Sequence, residues 1–225
     1  MGERPFDVIT FDCYGTLVDW GAGIGSAFIE AARADGVLLE RGPVLEAYME
    51  VEPAVEAEAY RSYRQVLAET ARRVVVRLGW RLRPERASFL AESLPGWPVF
   101  PDTNPGLERL AAAGYRLGIL SNVDEDLLDA TRRSLPVAFD PDLIVTAQSV
   151  GSYKPARGHF EEARGRIGLS RWLHAAQSWF HDVVPALELA IPVAWVNRKG
   201  EARPEGDGRP DFEVATLSAL AGRLT

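Results

Sequence analysis

The sequence predicts an α/β fold: a doubly wound parallel sheet into which an all-helical domain is inserted. Four short runs rich in β-branched and apolar residues, Asp7 to Phe11, Arg116 to Leu120, Leu143 to Thr146 and Val193 to Val196, read as buried parallel strands. In the second half they alternate with segments of helical composition, as a doubly wound sheet requires. The stretch from Gly21 to Leu94 holds no strand-like run.

Taken in order, the first strand leads straight into that helical stretch. Within it, Tyr63, Val66, Leu67, Thr70 and Val74 recur at helical spacing between Tyr60 and Leu78. Its entry, Gly21-Ala22-Gly23-Ile24-Gly25-Ser26, brings its third glycine one residue early for a dinucleotide loop, and no βαβ unit follows. These glycines read as a flexible entry. The proline-rich turn Pro95-Gly96-Trp97-Pro98-Val99-Phe100-Pro101 reads as a stiff hinge back to the sheet. The expected domains are therefore residues 1–20 with 95–225 as the α/β core, and 21–94 as the helical insertion. Helices are expected in the core over Asn104 to Ala113, Glu125 to Ser134, His159 to Ile167 and Val183 to Leu189, with a surface loop from Arg198 to Pro210.

Composition excludes several functions. A formal net charge of -7, with no basic cluster interleaved with aromatics, argues against nucleic acid. The apolar runs fall far short of the ~20 residues that cross a bilayer. No signal-like apolar stretch stands at the start, so a cytoplasmic location is expected. Cys13 is the single cysteine, which rules out an internal disulfide; with three histidines, zinc chemistry is not expected. The expected partner is a small-molecule carboxylate, with a homodimer as the candidate assembly.

Chemistry concentrates in loops after predicted strands. Phe11-Asp12-Cys13-Tyr14-Gly15-Thr16-Leu17 follows the first, and the carboxyl ends of parallel strands face the ligand crevice. Asp12 can therefore act as a nucleophile there, with Gly15 allowing a tight turn behind it. Ser121-Asn122 follows Leu117-Gly118-Ile119-Leu120, Lys154 stands in Gly151-Ser152-Tyr153-Lys154-Pro155, and Asp182 ends Gln177-Ser178-Trp179-Phe180-His181-Asp182.

In this order the four motifs resemble the haloacid dehalogenase superfamily, over essentially the whole chain and including a helical cap between the first and second. The resemblance implies a Rossmann-like core and hydrolysis through an aspartyl ester. Asp12 would attack the substrate, Lys154 would keep it ionised, and Asp182 would position or deprotonate the water of the second step. Ser121 and Thr16 would offer hydroxyl donors to an anionic substrate group, and Asn122 an amide or backbone donor. Trp20 would line an apolar pocket. His181 reads as a packing residue and Cys13 as buried and inert.

Phosphatases of the superfamily place a second Asp two residues after the nucleophile to protonate an alkoxide, whereas Tyr14 stands here, as in the 2-haloacid dehalogenases. A departing halide needs no proton. The stretches TFDCYGTLVDW, WPVFPDT, ILSN, VTAQSVGSYKP and QSWFHD are also similar to a family hydrolase that opens azetidine-2-carboxylate. Both reactions displace a leaving group beside a carboxylate. Gln177 and Trp179 stand where the dehalogenases carry Ser and Asn, and Arg41, Arg61 and Arg64 are candidates for the halide-receiving cap arginine. No cofactor is expected to be required; a bound Mg²⁺ would take Asp12, the Tyr14 carbonyl and Asp182. The rival readings are a Mg²⁺-dependent small-molecule phosphatase and a catalytically degenerate binding module.

Overall fold

The computed structural model describes residues 4–206 and 208–225, which fall into two compact units. One comprises the chain up to Val18 together with Val99–Asn122 and Arg133–Thr225; the other comprises Asp19–Pro98 and Val123–Arg132.

The first unit is built on a six-stranded, all-parallel sheet in the order β3-β2-β1-β4-β5-β6. Its strands are β1 (Val8–Phe11), β2 (Arg116–Ser121), β3 (Ile144–Thr146), β4 (Trp172–Ala176), β5 (Val193–Val196) and β6 (Phe212–Val214). This order reverses direction between β1 and β4, and the crevice at such a switch point is where open α/β sheets take ligands. Burial explains the composition. Every residue of β1, β4 and β5 is buried, so both faces need apolar side chains and no polar alternation survives. Leu120, Val145, Phe160, Trp172, Val183, Val193 and Trp195 pack together in the core of this unit.

Two strands were not foreseen. Trp172-Leu173-His174-Ala175-Ala176 contains no β-branched residue, so strand propensity is low, yet it occupies the middle of the sheet beside β1. The three residues of β6 follow the predicted 198–210 loop and pair with β5. The predicted helix over Val183 to Leu189 begins as a π-helical turn at Trp179–Val183 and continues as a helix over Val184–Glu188.

The second unit is helical, with α1 (Trp20–Ala34), α2 (Arg41–Glu56), α3 (Tyr63–Arg77), α4 (Phe89–Ser93) and the distant Glu125–Arg132. In α3 the five residues of the predicted apolar stripe are all buried. Ser62 and Gln65 close a capping box at its start. Asp124 completes that end, accepting from the backbone N–H of Tyr63 and of Arg64, each at 2.9 Å. A carboxylate at a helix N-terminus satisfies two orphan donors and opposes the helix dipole. Val123–Arg132 thus groups with the helices instead of with residues 95–225.

The flexible-entry reading of the Gly21 to Ser26 segment is corrected. These residues are the first turns of α1, capped by the Asp19 carboxylate on the Ala22 N–H. A Cβ on Gly23 would lie 2.2 Å from Cγ of Trp97, so glycine serves close packing, not flexibility.

Candidate active site

Asp12 directly follows β1, and its N–H donates to the Ala175 carbonyl of β4, continuing the strand pairing. Gly15, at φ 104°, turns the chain sharply behind it, a conformation closed to residues with a Cβ. Lys154 arrives from the loop after the short helix Ala147–Val150 that follows β3, and Asp182 from the π-helical turn after β4. All three are buried.

One ammonium joins the two carboxylates. Lys154 Nζ donates to Asp12 Oδ1 at 2.9 Å, to Asp182 Oδ1 at 2.6 Å and to the Leu120 carbonyl at 3.0 Å. Its three donors are thus satisfied. Burial opposes the lysine's charge, but the facing carboxylates outweigh it and hold the ammonium well above the ordinary lysine range. Asp182, although burial acts against it too, is held well below the usual carboxylate range by Lys154 and His174. Asp12 moves the other way. Burial and the neighbouring Asp182 charge raise it, and the opposing pull of Lys154 and the Thr16 hydrogen bond does not cancel them. Lys154 therefore acts in the expected direction without carrying the balance.

Two of the foreseen substrate donors are engaged elsewhere. Thr16 Oγ donates to Asp12 Oδ2 at 2.8 Å and accepts from the Gln177 N–H at 2.9 Å, so its single proton holds the aspartate. Asn122 clamps the lysine loop: its amide donates to the Lys154 carbonyl at 3.1 Å and accepts the Lys154 N–H at 2.7 Å. Its side chain thus positions Lys154, which engages one of its two amide protons. Ser121 Oγ, at the end of β2, is buried and has no hydrogen-bond partner among the described residues. Tyr14 is half-buried. Trp20 belongs to the helical unit, where its ring lies 6.0 Å from that of Tyr48.

Cys13 is buried, and burial together with the Asp12 charge pushes its thiol far up, which leaves it unreactive. His181 shares a hydrogen bond of 3.0 Å with Ser178 through Nδ1, and burial lowers it. Gln177 and Trp179 serve the sheet: the Gln177 carbonyl accepts from the Trp195 indole at 2.9 Å, and the Trp179 ring meets Trp195 edge to face. Of the candidate arginines, Arg61 pairs with Glu58 and Arg64 with Asp126, while Arg41 runs alongside Gly25.

Sequence reasoning missed two buried histidines. His159 Nε2 donates to the Ser121 carbonyl at 3.1 Å, and burial with the Lys154 charge lowers it to about 3, so it is neutral. His174 lies on the unforeseen β4, in register with Thr10. The signal available was a lone polar residue in each strand: Thr10 and His174 are the polar members of the otherwise apolar runs β1 and β4.

For a divalent cation the donor set is poor. Asp12 gives its two oxygens to Lys154 and Thr16, and Asp182 gives one to Lys154 and His174, which leaves Asp182 Oδ2 as the uncommitted oxygen of the two carboxylates that were expected to join the Tyr14 carbonyl on Mg²⁺. Among the described residues no group of three His, Cys, Asp or Glu side chains is placed to hold a metal ion. Nor is any described helix long and apolar enough to cross a membrane.

A family model for haloacid dehalogenase-like hydrolases matches residues 6–176. The chain belongs to that family. This haloacid dehalogenase-like hydrolase is 26% identical over 221 residues to the (S)-2-haloacid dehalogenase of Pseudomonas sp. strain YL, covering 94% of this chain and 91% of that one. With the (S)-2-haloacid dehalogenase H-109 of Pseudomonas putida it shares 25% identity over 227 residues, covering 98% and 99%. Its fold is that of the L-2-haloacid dehalogenase of Xanthobacter autotrophicus, solved with chloropropionic acid covalently bound: TM-score 0.80, 20% identity, 96% of this chain and 97% of that one.

Proposed function

We propose that this hydrolase displaces a halide from a small 2-substituted carboxylic acid through an ester on Asp12. The observation that supports the reading is the buried Asp12–Lys154–Asp182 array, with one cation between two carboxylates of opposite tendencies. Pairs of titratable groups whose surroundings push them apart are suited to different tasks. The activity of the Pseudomonas relatives, and the covalent complex of the Xanthobacter enzyme, are the chemistry that such an array would run.

In the first step a carboxylate oxygen of Asp12 attacks C2 of the substrate, and the halide leaves with the bonding electron pair. Tyr14 occupies the place of a general acid, and none is needed. Ser121 Oγ, without a partner among the described residues, donates to the substrate carboxylate. In the second step water attacks the Asp12 carbonyl while Asp182 takes its proton. The bond between Asp12 Cγ and the ester oxygen breaks, the released 2-oxyanion recovers the proton, and a 2-hydroxy acid departs; Asp12, left as the carboxylic acid, loses its remaining proton to solvent and is again the carboxylate. Throughout, Lys154 balances the negative charge and Thr16 keeps the Asp12 carboxyl from rotating.

A panel of (S)- and (R)-2-chloropropionate, azetidine-2-carboxylate and p-nitrophenyl phosphate, each with EDTA and with Mg²⁺, tests the reading. Turnover of a 2-chloro acid to 2-hydroxy acid and chloride, undiminished by EDTA, is the expected result. Hydrolysis confined to the phosphate ester and dependent on Mg²⁺ would overturn it.

The acid limb of the reaction follows from Asp12. Only its ionised form attacks, and its pKa lies above the ordinary 3.8, so kcat/KM falls as pH drops through that raised value. A rate profile still flat at pH 3.8 would contradict the raised Asp12.

A further inference from the structure

We infer that His174 is a positioning residue for the second half-reaction: it fixes Asp182 so that one named oxygen, Oδ2, is left to take the proton of the hydrolytic water. This deepens the proposed function and rests on it.

A chain of four buried groups, all in the α/β unit, carries the argument. The Trp172 indole N–H donates to Thr10 Oγ at 2.7 Å; Thr10 Oγ lies 2.9 Å from His174 Nδ1; and His174 Nε2 lies 3.1 Å from Asp182 Oδ1. Both ends have fixed polarity. An indole N–H can only donate, and an ionised carboxylate can only accept. Nε2 therefore carries a proton toward Asp182, and in that tautomer Nδ1 is the acceptor for the Thr10 hydroxyl. That assignment gives every donor one acceptor. It also locks the tautomer from behind, as a hydrogen bond on one ring nitrogen decides the state of the other. The ring is held in place as well, edge to face with Phe160 at 5.3 Å.

The consequence falls on Asp182. Its Oδ1 receives two donors, Lys154 Nζ at 2.6 Å and His174 Nε2 at 3.1 Å, whereas Oδ2 is buried and has no partner among the described residues. A buried carboxylate oxygen with no donor is costly and calls for a reason. Loading both donors onto Oδ1 pins the rotation of the carboxyl group and leaves Oδ2 the more basic oxygen. Lys154 alone cannot do this, because it also serves Asp12 and Leu120. A water accepted by Oδ2 would lose its proton there as its oxygen attacks the Asp12 carbonyl, and the same proton would pass to the departing 2-oxyanion. No further reactant is needed.

The test separates the half-reactions. Rapid-quench mass spectrometry of the Asp12 peptide, with (S)-2-chloropropionate as probe, follows ester formation and ester loss in wild type, His174→Leu, His174→Asn, His174→Gln and Asp182→Asn. Gln can keep an N–H near the Nε2 position; Asn reaches only the Thr10 side. His174→Leu and His174→Asn should form ester within about threefold of the wild-type rate and lose it at least tenfold more slowly, so ester accumulates on Asp12, since a displaced general base ordinarily costs about 10²–10⁴-fold. His174→Gln should recover most of the hydrolysis rate. A merely structural role would slow both steps together, or leave Gln no better than Asn, and either result overturns the inference. If His174→Leu does not fold, the Asn and Gln pair decides alone. Absence of ester even in Asp182→Asn would instead overturn the reaction proposed above, and the inference with it.

Discussion

Asp12→Asn should lower kcat by at least about 10³-fold, because an amide is a far poorer nucleophile than a carboxylate and its loss would remove the proposed covalent route. Stability changes little. The Asn oxygen can still accept from Lys154, while the amide nitrogen can donate to Thr16 Oγ, whose hydroxyl has a second lone pair beside the one used by the Gln177 N–H. Steady-state kinetics with a thermal melt checks both halves. A variant retaining more than about a tenth of wild-type kcat would remove Asp12 from the nucleophile's role.

Lys154→Met has the largest expected effect on the fold. The substitution keeps the apolar stem but leaves two buried carboxylates, Asp12 and Asp182, facing each other without their shared cation. Removing one partner of a buried ion pair costs about 3–5 kcal/mol. The variant should recover part of that loss by binding a proton. A carboxyl group protonated in the fold has a raised folded-state pKa, so its stabilisation is complete below the unfolded value of about 4 and is lost as pH rises through the folded value. The gap in urea midpoint between wild type and variant should therefore narrow as pH falls toward 4. A gap independent of pH would mean that Lys154 does not neutralise the pair. Activity should fall with it, since Lys154 is the cation paired with Asp12.

How much of this was legible in the sequence depends on what each residue reports. The strand into Asp12 was legible because β-branched residues in a fully buried parallel strand are also what strand propensity favours. Trp172–Ala176 was not, although it lies beside β1, because its position in the sheet and not its composition makes it a strand. With it went His174. The order Asp12, Ser121, Lys154, Asp182 was readable as a candidate site, and Lys154 does join Asp12 and Asp182 beside the end of β2. Their partners were not readable. Residue type says that Thr16 and Asn122 own donors; it does not say that those donors face Asp12 and the Lys154 backbone. Asp124 shows the same limit at longer range, since a carboxylate sixty residues from the helix it caps leaves no local signature.

The central claim, an ester on Asp12 hydrolysed at its carbonyl carbon, is tested most directly by the fate of one oxygen. A single turnover of a 2-chloro acid in H₂¹⁸O, with enzyme in excess, is followed by mass spectrometry of the 2-hydroxy acid and of the Asp12 peptide. Because the attacking oxygen belonged to Asp12 and water replaces it there, the first product should be unlabelled and the peptide should carry the ¹⁸O. Labelled product with an unlabelled peptide would mean that water attacks the substrate directly, and would contradict the account.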